Sequence, residues 1–241
     1  MSTRIAIFGD LHRNSAATEA LLQAIDREAP DAVYCLGDLV GYGAKPNEVI
    51  ELIKTRGIPT IMGNYDDGVG FDRDCAYKDA DERDRGQQSL MWSRASTTDE
   101  NKAFLRELVP EIRFDIDGLR FRLVHGSPRR MNEYLFEDRD QRSLERIAQI
   151  ADCDVLIFGH THKPWVREIS GVLFANAGSV GKPKDGDPRA AWLLLTTNSW
   201  EPPMIEIRRV EYDVSGMAAA IRATDGLPDH YARDIETGGA A

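Results

Sequence analysis

Four of the five histidines in this chain stand directly behind short apolar runs, beside glycine or aspartate. Gly9-Asp10-Leu11-His12 follows the run Arg4 to Phe8, Val124-His125-Gly126 closes the run Phe114 to Val124, and Gly159-His160-Thr161-His162 follows Asp154 to Phe158. Two further runs end in like manner, with Asp31 to Leu36 leading into Gly37-Asp38-Leu39-Val40-Gly41 and Ile58 to Met62 into Gly63-Asn64-Tyr65-Asp66. One such histidine alone is ordinarily a hydrogen-bonded structural residue. An ordered series of apolar runs, each ending in the same residue types, is not what scattered core or surface histidines produce. The apolar runs read as buried strands. Between the first three lie helical spacings: Ala16, Ala20, Leu21, Ala24 and Ile25 share a face of Ser15 to Glu28, and Val49, Ile50 and Ile53 share a face of Pro46 to Arg56. This β-α-β-α-β order predicts parallel strands with right-handed crossovers. In such sheets ligands gather beyond the carboxyl ends of the strands, where the polar segments lie.

The pattern then changes. Asp66 to Pro110 is polar and charged, and reads as a helical excursion bordering the site, with helices near Asp84 to Ser96 and Asp99 to Leu108. Phe114 to Val124 reads as a hairpin turning at Asp117-Gly118. A helix is expected over Asp140 to Ala151. Gly171 to Phe174, Ala190 to Thr196 and Met204 to Val210 read as antiparallel strands of a second sheet. Val214 to Ala223 reads as a closing helix. Residues 1–224 are thus one domain, and residues 225–241 a poorly fixed C-terminal tail.

The residue types at the strand ends suit metal ions. Aspartate offers an anionic oxygen, neutral histidine a nitrogen and asparagine a carbonyl oxygen. That mixture fits manganese, iron, cobalt, nickel or zinc better than calcium or magnesium. The i, i+2 spacing of Asp-x-His and His-x-His lets two donors project from one loop. The adjoining glycines let backbone approach an ion closely.

The order D-x-H, GD-x-x-G, GN-x-D, H and GH-x-H resembles the calcineurin-like metallophosphoesterase superfamily, over Arg4 to Val210. The stretch Asn176-Ala177-Gly178-Ser179-Val180-Gly181-Lys182-Pro183 with Gly186-Asp187-Pro188-Arg189 is similar to the small prokaryotic phosphodiesterase branch. The resemblance implies an α/β fold, a four-layer α-β-β-α sandwich of two mixed sheets. It implies two divalent or trivalent transition-metal ions, manganese first, with iron, zinc, nickel or cobalt as alternatives. Asp10, His12 and His162 would hold one ion, and Asn64, His125 and His160 the other, with Asp38 bridging. Two ions roughly 3.5–4 Å apart would hold a bridging hydroxide for in-line attack on phosphorus. The implied enzyme is a metal-dependent phosphoesterase acting on a small or nucleotide-like phosphodiester or phosphoanhydride. A phosphomonoesterase or protein phosphatase is the alternative. A metal-bound interaction module with weak turnover is a second.

Two departures from the family pattern bear on these readings. The residue after the motif asparagine, usually a histidine that protonates the leaving alkoxide, is Tyr65. A phenol is a poorer proton source at neutral pH. Tyr65 is therefore a catalytic and substrate-binding candidate suited to good leaving groups, with Asp66 either orienting it or capping the next segment. After His12 stands Arg13 where many relatives have glycine. It is either a forked donor to substrate phosphate or a solvated residue before the helix. Asn14 reads as the N-cap of that helix. The Asn176 to Arg189 loop either turns the chain rigidly or lets Ser179 shape the site. Asp79 to Arg85 is either a solvated face or a gate on substrate size. Met91 and Trp92 read as packing within the excursion, Tyr42 as a possible base-stacking group, and His230 as a surface residue.

Net charge narrows the partners. A formal charge of −10 disfavours stable nucleic-acid binding. It does not exclude a small phosphate ester, because bound cations dominate the field at such a site. Three scattered cysteines, Cys35, Cys75 and Cys153, form no framework for disulfides or structural zinc. No apolar run reaches membrane-spanning length. The expected setting is cytoplasmic, the expected partner a small phosphate ester, and a homo-oligomer remains open.

Overall fold

Alternation within the apolar runs decides how the layers stack. In β1 (Thr3–Phe8), Ile5 and Ile7 point to one face while Ala6 and Phe8 point to the other, and all four are buried. A strand buried on both faces needs cover on both. The computed structural model describes residues 2–75 and 80–240, and the side chains of these except 80–82. After β1 come α1 (Ser15–Glu28), β2 (Ala32–Cys35), α2 (Pro46–Thr55), α3 (Asn64–Gly70), α4 (Ala80–Ser96) and α5 (Asp99–Glu107). The chain continues through β3 (Glu111–Ile116), β4 (Leu119–Val124), α6 (Gln141–Ala151), β5 (Val155–Phe158), β6 (Trp165–Ile169) and β7 (Val172–Asn176). It closes with β8 (Ala190–Asn198), β9 (Glu201–Val210), α7 (Val214–Ala223) and α8 (Asp229–Thr237).

Two mixed sheets result, in the orders β2-β1-β8-β9 and β3-β4-β5-β7-β6. Ile5, Ile7, Leu193 and Leu195 of the first meet Phe121, Leu123, Val155 and Ile157 of the second in the apolar layer between them. On the outer side of the first sheet, Phe8, Trp192 and Leu194 share a core with Leu21 and Ile25 of α1 and Val49 and Ile53 of α2. On the outer side of the second, Leu156, Phe158 and Phe174 share one with Leu144 and Ile147 of α6. The architecture is the expected four-layer α-β-β-α sandwich. Asn14 caps α1 as its spacing predicts, accepting the Ala17 N–H at 3.0 Å. Asp117 and Gly118 both adopt positive φ (55° and 83°), the conformation of a two-residue hairpin turn between β3 and β4.

Several elements differ from expectation. Ile58 to Met62 is not a full strand. It forms only isolated parallel bridges, Cys35 to Thr60 and Ile61 to Val109, since Pro59 has no N–H to give a ladder. It still runs beside β2 and delivers Asn64 to the sheet edge. β8 and β9 join the first sheet, not the second: Ile5 pairs with Leu195 antiparallel, giving β1 a partner on its other edge. β6 is an unanticipated edge strand, its apolar pattern interrupted by Arg167 and Glu168. The residues from Asp225 on carry α8, whose Tyr231, Ala232 and Ile235 are buried against Met217, Ala218 and Ile221 of α7. They are held by a core of their own rather than trailing loosely. His230 is accordingly half-buried, its ring 4.3 Å from that of Tyr231. Met91 is 54% exposed, whereas Trp92 packs over Arg13. Of the charged run, residues 79–82 lie outside the described residues or side chains. Among the described residues, no helix is long and apolar enough to cross a membrane.

Candidate metal centre

The strand-end loops converge on one spot. Asp10, His12, Asp38, His125, His160 and His162 are all buried there, and Asn64 is partly exposed. The backbone is held unusually to achieve this. Asp10, His12, Asp38, His160 and His162 all have positive φ, between 47° and 66°. Each such residue costs on the order of 1–3 kcal/mol, and clustering of such strain marks functional sites. The preceding glycines make room: a Cβ on Gly63 would lie 2.1 Å from Asp38 Oδ1, and one on Gly159 2.4 Å from Asp10 Oδ2.

Hydrogen bonds then fix where each ring points. His12 Nδ1–H donates to the Val40 carbonyl at 2.9 Å, His162 Nδ1–H to the Lys182 carbonyl at 2.6 Å, and His125 Nδ1–H to the Leu36 carbonyl at 2.8 Å. In the neutral rings this leaves Nε2 as a lone pair on all three. Yet His12 Nε2 and His162 Nε2 face each other at 3.0 Å. His125 Nε2 faces Asn64 Oδ1 at 3.1 Å and Asp38 Oδ2 at 3.5 Å. Asp10 Oδ1 lies 3.2 Å from His162 Nε2 and 3.6 Å from His12 Nε2. At the His12–His162 pair, with Asp10 beside it, acceptors point at acceptors and repel unless positive charge sits among them. Asp10 Oδ1 and His160 Nε2 are buried with no hydrogen-bond partner, as ligand atoms awaiting a cation are.

Electrostatics agree. Burial alone would raise Asp10, but His162 and His12 outweigh it and hold the carboxyl well below its ordinary range. Burial would lower His125, yet Asp38 and Asp10 drive it up to about 10. Burial, with His125 nearby, brings His160 down to about 3. Burial and the Lys184 charge bring His162 down to about 3. Two carboxylates therefore stand ionised among imidazoles of which two resist protonation.

The donors form two overlapping nests. Asp10, His12 and His162 offer ligand atoms within 4.8 Å of one another, and so do Asp10, Asp38 and His125. Asp38 Oδ2 lies between them, 3.8 Å from His12 Nε2 and 3.5 Å from His125 Nε2. Asp10 is common to both groups. His160 packs beside the second nest, with ring centroids 5.1 Å from His125.

The remaining expected residues divide. Asp66 is turned toward backbone. Its carboxylate accepts the N–H groups of Asp38 (2.7 Å), Leu39 (2.9 Å) and Gly63 (3.0 Å), which caps α3 and pins the Asp38 loop. It positions the site without entering it. Tyr65 lines the cavity, and its hydroxyl pairs with that of Tyr42 at 2.7 Å. Arg13 fits neither expectation. It is fully buried, with the Trp92 ring 4.4 Å from its guanidinium, and does not line the cavity. The Asn176 to Arg189 loop both turns the chain and shapes the site: Ser179 Oγ donates to the Asp10 carbonyl at 2.8 Å. Tyr42 presents its ring edge-on to His12, at 4.9 Å between centroids.

A cavity of about 200 Å³ opens onto the nests, lined by Asp38, Asn64, His160 and His162 on one side. Tyr42, Tyr65 and Arg85, the last from the charged run read as a possible gate, also line it, while Tyr134, Lys182, Lys184 and, from α8, Asp234 were not assigned to the site from sequence. A lysine pair around Pro183 in a glycine-rich loop was the available hint.

Fold and donors define the class first: an α-β-β-α sandwich with candidate metal ligands gathered at its strand ends. Residues 3–199 match the model of the calcineurin-like phosphoesterase superfamily domain. The chain is 32% identical to an uncharacterised protein of Methanocaldococcus jannaschii over 232 residues, covering 89% of this chain and 90% of that one. Among solved structures, a metallophosphoesterase from Sphaerobacter thermophilus aligns with TM-score 0.79 and 27% identity, covering 99% of this chain and 100% of that one. A hypothetical protein from Pyrococcus horikoshii shares the fold at TM-score 0.85 and 22% identity, with 99% and 100% covered. The chain belongs to the calcineurin-like phosphoesterase superfamily.

Proposed function

We propose that this chain hydrolyses phosphate esters at a dinuclear transition-metal centre, with a small phosphodiester or phosphoanhydride as substrate. The observation that carries the reading is the facing pair of Nε2 atoms of His12 and His162, 3.0 Å apart, each with its other ring nitrogen committed to a carbonyl. Asp10, His12 and His162 would hold one ion, Asn64, His125 and His160 the other, and Asp38 both. The mixed oxygen and nitrogen donors suit manganese, with iron, zinc, nickel or cobalt as alternatives. Ions held there by these residues would supply Lewis acidity toward the phosphoryl oxygens and would lower the pKa of a water for in-line attack on phosphorus.

The chain's own groups set up the rest. The carbonyls of Val40, Lys182 and Leu36 take the Nδ1 protons of the three imidazoles and so turn each Nε2 toward the nest; on His125 a metal would have to displace the proton that Asp38 and Asp10 favour there. Asp38 keeps its geometry because its Oδ1 accepts the Tyr65 N–H at 2.9 Å. Tyr42 and Tyr65 wall the cavity beside His12, narrowing the approach. The Tyr65 hydroxyl, tied to that of Tyr42, is a hydrogen-bond donor rather than a strong acid. The favoured esters are therefore those whose leaving group departs without full protonation.

The test is reconstitution of the stripped protein with Mn²⁺, assayed by p-nitrophenol release from bis(p-nitrophenyl) phosphate and from p-nitrophenyl phosphate. The reading expects metal-dependent turnover, faster on the diester and abolished by chelator. Faster turnover of the monoester would move the assignment to a phosphomonoesterase. No turnover of either at full metal occupancy would contradict it.

A further inference from the structure

Beside the metal nest, the cavity wall carries positive charge that the donors do not account for. Lys182 is only 5% exposed, and its ammonium sits 4.7 Å above the Tyr42 ring. That ring touches His12, so the ammonium lies one aromatic side chain away from a candidate metal ligand. Arg85 and Lys184 line the same cavity. Facing them is Asp234 of α8, which takes both the Lys182 ammonium, at 2.8 Å, and the Arg85 guanidinium, at 2.7 Å. Lys182 thus shares its carboxylate with a second cation. Burying an ammonium is costly unless paired. A contact that merely fastened α8 to the body would be complete with one cation. Here a single carboxylate serves two.

We infer that Lys182, Arg85 and Lys184 form an anion subsite for a second charged group adjoining the scissile phosphate, as the neighbouring phosphate of a phosphoanhydride does. The inference rests on the phosphoesterase reading and narrows its substrate class to the anhydride. Arg85 supplies a planar fork suited to phosphate oxygens, and the lysines supply compact charges. Asp234 holds Lys182 and Arg85 at the wall. In a chain of net charge −10, such a local positive wall draws anionic substrate to the nest against the field of the whole surface. The ordered α8 is what completes the wall.

The test uses the full chain reconstituted with Mn²⁺, comparing KM for ADP with KM for bis(p-nitrophenyl) phosphate, which has no second charged group. Lys182→Met is expected to raise KM for ADP at least tenfold more than KM for the diester. Arg85→Met, at a half-exposed side chain where folding is not at stake, should raise that ratio severalfold. Equal effects on the two substrates, or none, would overturn the subsite while leaving the phosphoesterase standing. If the wild type cleaves neither compound, the proposed function fails. Calorimetric titration of inorganic pyrophosphate then reads the subsite alone: binding weakened tenfold by Lys182→Met supports it, and unchanged binding overturns it.

Discussion

Replacing Gly159 by alanine should damage the metal centre while sparing the fold. The added Cβ would stand 2.4 Å from Asp10 Oδ2, with its next neighbours at 3.6 and 4.0 Å. Gly159 is not among the residues with positive φ, so alanine is conformationally acceptable there. The whole perturbation therefore falls on one carboxylate. Ordinary van der Waals contact for a Cβ begins at 3.4 Å, so Asp10 must retreat by about 1 Å. Its Oδ2 also accepts the His160 N–H at 3.1 Å, so the move loosens the His160 loop as well. Overpacking of this kind costs about 1–3 kcal/mol, or roughly 2–12 °C in Tm for a chain of this length. Misplacing a group by 1 Å costs on the order of 10²-fold in turnover. The assay is threefold: thermal melting, elemental analysis after dialysis, and kcat/KM on the aryl diester. The expected outcome is a folded protein that loses metal on dialysis and about two decades of activity. Two ions retained with unchanged turnover would refute the argument that Gly159 exists to admit the Asp10 carboxylate.

Further expectations follow from the same geometry. Asp38→Asn keeps an acceptor for the Tyr65 N–H but removes the charge between the nests, so occupancy of both ions should fall; two ions bound at unchanged activity would disprove the shared role. Tyr65→His should raise turnover of esters with poor leaving groups by about tenfold or more, measured against an activated aryl ester. No gain would show that proton donation does not limit the site, and no activity in either form at full occupancy would favour an interaction module. Burial pushes the Glu133 carboxyl up, but Arg129, Ser127 and Arg139 outweigh it and bring it down to about 2. Its contribution to stability is thus present above the unfolded-state value, near 4.3, and lost as pH falls toward 2. Glu133→Gln should melt lower than wild type at pH 7, with the gap closing between about pH 4.3 and 2; a gap independent of pH would contradict the ion-pair account.

The candidate site could be read from short segments, whereas the strand pairing around it could not, for a physical reason. A candidate ligand at a strand end leaves a local mark: an apolar run, a glycine that permits close approach, then a carboxylate or imidazole. Asp10, Asp38 and His160 each show it within a few residues. Which sheet a strand joins depends on register with a distant partner. The pairing of Ile5 with Leu195 leaves no trace in either segment alone. That Arg85, at the end of the run read as a possible gate, meets Lys182 and Asp234 was hidden for the same reason, since they come together only through folding. Arg13 stands beside the candidate ligand His12 in sequence, whereas its side chain turns inward to Trp92, seventy-nine residues on. The C-terminal helix looked like a tail because Tyr231, Ala232 and Ile235 make a narrow apolar stripe in a charged segment, and such a stripe gains stability only against α7.

The central claim is that the strand-end donors enclose two adjacent ions, and anomalous diffraction from crystals of the Mn²⁺-loaded protein tests it most directly. Two peaks are predicted, one among Asp10, His12 and His162 and one among Asn64, His125 and His160, with Asp38 in contact with both. A single peak at saturating metal, or ions bound away from these side chains, would contradict it.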